Sequence, residues 1–163
     1  MKSRKRTIGM AVEIAVVAVL LCALFWQVNR FKVKPSLYAE AAVRQGVTVQ
    51  VETNWAKDEI LYLLENHTAE QIEYAGYEVL EYYDGQAWQE VLYRMGGRAS
   101  EQARDAMAWL LAPAGEAYSN RIGSVDLANR PGRPDGSYRL VFPGVREDDP
   151  VICSEPFSWG NGG

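Results

Sequence analysis

Residues 77–93 read YEVLEYYDGQAWQEVLY, two Tyr-, Val- and Trp-rich runs on either side of Asp84-Gly85. Asp-Gly readily adopts the two positive φ angles of a type I′ turn, so this stretch predicts a β-hairpin with arms at 77–83 and 86–93. Alternation along the first arm places Tyr77 and Tyr83 on one face and Tyr82 on the other. Trp88, on the second arm, reads as a core residue, because a large aromatic on a strand is more often packed than displayed.

Period two extends to both sides of the hairpin. Val47, Val49 and Val51 alternate with Thr48, Gln50 and Glu52, the pattern of a half-buried strand. In 59–66, Ile60, Tyr62 and Leu64 share one face and Leu61 and Leu63 the other, too apolar for an edge, so this strand is expected to be central. Downstream, 99–111 (ASEQARDAMAWLL) suits either a helix capped by Ser100 or a strand at its end. A short helical or irregular turn feeding a strand at about 107–112 is expected there. Pro113-Ala114-Gly115 marks a turn, 118–127 a strand, 129–136 (NRPGRPDG) a loop, and 138–142 and 151–159 the last two strands. About seven short strands and no long amphipathic helix predict an all-β fold, an antiparallel β-sandwich.

The remaining N-terminal fifth has a different character. Ile8 to Trp26 (IGMAVEIAVVAVLLCALFW) is nineteen residues with one charge, close to the length of a bilayer-spanning helix. Its Glu13 lies near the basic end, within reach of headgroups or Arg6. A cleaved signal peptide fits less well, since the apolar run is long and the only A-x-A, Ala39-Glu40-Ala41, lies far beyond Trp26. Cys22 follows Leu20-Leu21 rather than the small residue that lipidation needs. Four basic residues precede the run (Lys2, Arg4, Lys5, Arg6) and three follow it (Arg30, Lys32, Lys34), which favours a cytoplasmic N-terminus and an extracellular C-terminal domain. The expected division is a basic N-terminus at 1–7, a transmembrane helix at 8–28, a stalk at 29–45 and the β domain at 46–160.

The net charge of −4 splits accordingly. Residues 1–35 carry seven Lys/Arg and one Glu, whereas 36–163 carry ten basic and twenty acidic residues, a charge of −10. That excess argues against nucleic acid as a partner, because phosphate backbones are bound chiefly through clustered Lys/Arg.

The order GVTVQVE (46–52), LLENH (63–67), the Tyr-rich hairpin, Pro-x-Gly at 113–115 and DGSYRLVF (135–142) resembles the bacterial immunoglobulin-like domains of surface-exposed or lipid-anchored Gram-positive proteins. The resemblance includes the family's Leu-Glu then Trp pattern, here Leu80-Glu81 and Trp88, and its Gly-x-Tyr-Arg strand opening, here Gly136 to Arg139. It implies an immunoglobulin-like sandwich over about 46–159, with Asp84, Gly85, Gly136 and Tyr138 in structural roles. Tyr138 would form a tyrosine corner, its hydroxyl bonding back to the chain a few residues upstream. The chain departs from the family in its Pro113-Ala114-Gly115 turn and in an apparent helical insertion at 98–105.

Residue types that carry chemistry are sparse. One His and two Cys, one of them Cys22, cannot build a zinc site. His67 sits at a strand end and reads as a turn residue, and no Gly-rich phosphate loop opens a helix. Glu147-Asp148-Asp149 lacks the alternating spacing that wraps Ca²⁺ and reads as a solvated loop. No metal, cofactor or catalytic residue is expected. Asn66-His67-Thr68 matches a glycosylation acceptor, and Cys153 is either a core thiol or an intermolecular cross-link.

Tyr62, Tyr74, Tyr77, Tyr82, Tyr83, Trp88 and Tyr93 are mixed with Glu70, Glu73, Glu78, Glu81 and Glu90, a Tyr/Glu-rich sheet face that either stabilises the sheet or recognises a partner. Candidate binding residues are Tyr77, Tyr82, Tyr83 and Trp88, with Arg98, Arg130 and Arg133 from two basic loops. The expected function is a membrane-anchored, non-catalytic binding or scaffolding module with a protein partner at the cell surface. The alternative is a protease inhibitor of immunoglobulin-like fold that presents one of those loops.

Overall fold

The computed structural model describes residues 2–29, 31–54, 59–92, 109–122, 134–146 and 148–159. One helix, α1 (Lys2–Asn29), precedes a domain made of short strands in antiparallel sheets. In chain order these are β1 (Val33–Pro35), β2 (Val47–Asn54), β3 (Glu59–Asn66), β4 (Ile72–Ala75), β5 (Val79–Tyr83), β6 (Trp88–Val91), β7 (Trp109–Ala112), β8 (Ala117–Ile122), β9 (Gly136–Phe142), β10 (Ile152–Cys153) and β11 (Phe157–Trp159).

A six-stranded sheet runs β1-β6-β5-β9-β10, with β11 also paired to β9; a second sheet runs β2-β3-β8, and β4 pairs β7. The central position expected for β3 is observed, and its pattern accounts for it. Ile60, Tyr62 and Leu64 are buried, while Leu61 and Leu63 on the opposite face are half-buried between neighbours on both sides.

The inner faces of the two larger sheets share one core. Val47, Val49, Ile60, Tyr62 and Leu64 from one meet Leu80, Val91, Tyr138, Leu140, Phe142, Ile152 and Trp159 from the other. Each fully buried aliphatic side chain contributes about 1.5–3 kcal/mol. Phe142 is the aromatic hinge of this core, edge-on to Tyr62 at 5.0 Å and to Tyr74 at 6.0 Å. The Tyr138 hydroxyl donates to the Pro134 carbonyl, four residues upstream, at 2.6 Å. Its ring lies 5.2 Å from Tyr82 and 5.5 Å from Trp159, so one side chain ties the entry of β9 to the core. Gly136 is needed for packing: a Cβ there would come within 2.9 Å of the Tyr82 ring.

Several details differ from the sequence reading. The hairpin turn is longer than a two-residue type I′ loop: residues 84–87 separate Tyr83 from its partner Trp88. Asp84 explains this, because its Oδ1 accepts from the backbone N–H groups of Gln86 and Ala87, each at 2.9 Å, while Gly85 supplies the positive φ of 97°. The Ala87 N–H first, then that of Gln86, holds the Asp84 carboxyl below the usual carboxylate range. The second arm accordingly begins at Trp88, and the arms are β5 and β6.

The last strand is broken in two. Ser154 exchanges backbone and side-chain bonds with Leu140 between β10 and β11, and Pro156 follows. The chain has more strands than the seven expected, partly because Ile72–Ala75 pairs β7 through only four residues, too few to show a period.

Of the stretch 29–45, read as a stalk, residues 31–45 pack and pair with the domain. β1 pairs the outer edge of β6, and Val43 bridges Val151 in parallel. The stretch has no long apolar stripe because it contributes an edge strand and a strap, which need few core side chains.

In α1 the described side chains run from Glu13 to Gln27 and all are exposed. Among the described residues, no helix is long and apolar enough to cross a membrane.

Candidate functional site

The outer face of the six-stranded sheet, opposite the shared core, holds an arrangement that residue spacing alone does not reveal. Lys34, Glu90, Glu81 and Arg139 occupy successive register positions across β1, β6, β5 and β9. Two carboxylates directly opposite one another repel, yet Glu81 is fully buried and Glu90 is 3% exposed. The flanking cations make this tenable. Lys34 Nζ lies 3.4 Å from Glu90 Oε2, and Arg139 Nε donates to Glu81 Oε2 at 2.7 Å.

The chain after β1 crosses over this row as a strap. Ser36 Oγ donates to Glu81 Oε1, Ser36 N donates to the Trp88 carbonyl at 3.2 Å, and Arg139 Nη2 donates to the Tyr38 carbonyl at 3.3 Å. Farther along, Tyr38 and Ala41 pack on Tyr77, Val79, Val141 and Val151, a second and smaller apolar cluster. The Val151 N–H donates to the Ala42 carbonyl at 2.9 Å, and the Arg44 N–H to the Val151 carbonyl at 2.8 Å.

Beside the charged row, Tyr83 and Trp88 face each other across the hairpin with ring centroids 5.3 Å apart. The Arg139 guanidinium lies 4.3 Å from the centre of the Trp88 ring, close enough for a cation–π contact. Trp88 is therefore half-buried on the outer face rather than in the core, and Tyr83 is 39% exposed. Arg139, held by Glu81 and by the strap, fixes the indole from below.

The candidate binding residues thus separate. Tyr83 and Trp88 come together at the surface. Tyr77 is buried under the strap, 3.5 Å from Tyr38 hydroxyl to hydroxyl, and Tyr82 turns inward against Phe31 and Tyr138. Arg98, Arg130 and Arg133 lie outside the described residues, as do Tyr93 and the stretch 98–105.

Three further sequence readings acquire positions. Asn66 is 1% exposed, and its amide nitrogen lies 2.8 Å from both the Glu70 and Ala112 carbonyls and 3.2 Å from that of Pro113. Its Oδ1 accepts from Thr68 N and Oγ1, so the side chain of the glycosylation tripeptide is used up inside the fold. His67 is exposed, with Nε2 2.9 Å from Thr48 Oγ1. Among the described residues, no group of three or more His, Cys, Asp or Glu side chains is placed to hold a metal ion.

Cys153 packs against the smaller cluster below the strap. Burial pushes its thiol up to about 11, Arg139 opposing the shift and Glu81 adding to it. The starting value is 9.0, so at pH 8 the folded chain carries about a hundredfold less thiolate than an exposed Cys. Iodoacetamide should accordingly label Cys153 about a hundredfold more slowly in the folded than in the urea-unfolded protein, by mass spectrometry, with the rate still rising above pH 10. Equal rates would show a reactive surface thiol.

None of the known protein-family models matches this chain, and a search of curated proteins finds no match.

Proposed function

We propose that this chain is a single-pass membrane protein whose immunoglobulin-like β-sandwich, of the bacterial surface type, binds a protein partner outside the cell without catalysing a reaction. The anchor reading is supported by α1, where Ile14, Val17, Leu20, Leu21, Leu24 and Phe25 are each more than half exposed, an apolar surface that water disfavours and lipid accepts. The immunoglobulin-like reading is supported by two antiparallel sheets that share a core and by the Tyr138 bond to Pro134. Four N-terminal cations against three after the apolar run favour a cytoplasmic N-terminus.

The observation that carries the binding reading is the Tyr83–Trp88 pair. Two large aromatic rings are held at the surface, and the cation behind them is already committed to Glu81 and to the strap. Such a platform is rigid before a partner arrives and loses little side-chain entropy on contact.

Capture from native membranes with the tagged full chain tests this. The Tyr83→Ala/Trp88→Ala variant should retain the bound partner about thirtyfold more weakly, the consequence of losing about 2 kcal/mol at a hot spot, while still unfolding in a cooperative thermal transition. Undiminished retention by a folded double variant would remove the platform from the binding site.

A further inference from the structure

The junction between α1 and the β domain fixes where the domain stands. Only one residue separates Asn29, the end of α1, from Phe31, which is half-buried against the core and edge-on to Tyr82 at 6.1 Å. Lys32 follows, its carbonyl accepting from the Leu92 N–H at 2.9 Å, and Lys34 is held on Glu90. The chain therefore enters the domain pinned at successive points and has no slack to pay out. Two residue steps reach at most about 7 Å, and the helix from Trp26, the end of the apolar run, to Asn29 adds about 5 Å. The sum, at most about 12 Å, exceeds the headgroup region of one leaflet, roughly 5–8 Å deep, by only about 4–7 Å.

We infer that the β domain abuts the membrane along its β1 edge, with no stalk between, and that this edge docks on the phospholipid headgroup layer. The inference rests on the anchor reading of α1 given above. β1 is the outermost strand of its sheet and the first element after α1, so its edge is the part of the domain nearest the bilayer. Charge acts in the same sense. Arg30 and Lys32 lie at this junction, Lys34 being held on Glu90, whereas residues 36–163 carry −10. Cations at the edge attract anionic headgroups and the acidic body is pushed away from them, both within a Debye length of about 8–10 Å. The sheet then stands off the membrane from β1 toward β11, and its outer face with Tyr83 and Trp88 remains open to the side.

The test uses the full chain with Cys22→Ala and Cys153→Ala, reconstituted in phosphatidylcholine/phosphatidylglycerol vesicles containing a headgroup-labelled acceptor lipid. A donor dye is placed at Pro35→Cys on β1 or at Ser158→Cys on β11, both exposed positions. Energy transfer should be markedly stronger from position 35, because four strand spacings separate the two sites by about 19 Å. Insertion of about twelve Gly/Ser residues after Asn29 should abolish the difference by letting the domain reorient. Equal transfer from both sites in the uninserted chain, with the protein still floating with the vesicles, overturns the edge-on docking. Failure to float with the vesicles overturns the anchor reading itself.

Discussion

A fragment that begins at Gly46 should fail to fold cooperatively, whereas one that begins at Phe31 should unfold in a single transition. Starting at Gly46 discards Phe31 from the main core and Tyr38 and Ala41 from the smaller cluster. It also removes Lys34 from Glu90 and Ser36 from Glu81. A small domain has only about 5–15 kcal/mol of net stability. Burying one large apolar side chain contributes about 1.5–3 kcal/mol, and each hydrogen bond lost with the strap about 0.5–1.5 kcal/mol. The combined loss is of the same size as the whole. Urea titration of both fragments, followed by tryptophan fluorescence, decides the matter; a sigmoidal transition in the Gly46–Gly163 fragment would show the strap to be dispensable.

Arg139→Ala should be the most damaging single substitution on the outer face. It strips the counter-charge from Glu81, which has no exposed surface. Breaking a buried pair from one side costs about 3–5 kcal/mol. Replacing both partners, as Glu81→Leu/Arg139→Leu, should recover most of that loss, because it removes the stranded charge along with its partner. Urea unfolding of the Phe31–Gly163 fragment and its two variants measures both effects. A loss below about 1 kcal/mol in the single variant would mean that Glu81 finds solvent or another partner, contrary to the geometry.

The two predictions share one physical origin, the sheet's outer face. In the sequence, Glu81 and Glu90 look like the polar half of a half-buried hairpin, and local alternation gives no reason to doubt it. What buries them is Ser36–Tyr38 crossing above, and what makes burial tolerable is Lys34 on one side and Arg139 on the other. Those residues are remote along the chain, and no local period links them.

The same limit explains the turn. Asp84-Gly85 correctly marks where the hairpin reverses, yet its loop length is set by the Asp84 side chain capping two N–H groups, and this moves the strand register. Tyr82 and Tyr83 were separable by alternation. Which of the two would meet solvent depended on where the second sheet lay.

The residues by themselves determined the class of fold and its main reversal points. Period-two alternation, Gly/Pro/Asp/Asn punctuation and the doubly apolar Glu59–Asn66 run are local signals that only antiparallel sheets satisfy together. The apolar character of residues 8–26 was equally local. Tertiary structure alone decided that residues 31–45 belong to the domain, that Asn66 is spent on three carbonyls, and that Trp88 sits on Arg139 at the surface. Each of those outcomes comes from cross-strand register or from one segment covering another, and such contacts form between residues that share no window of sequence.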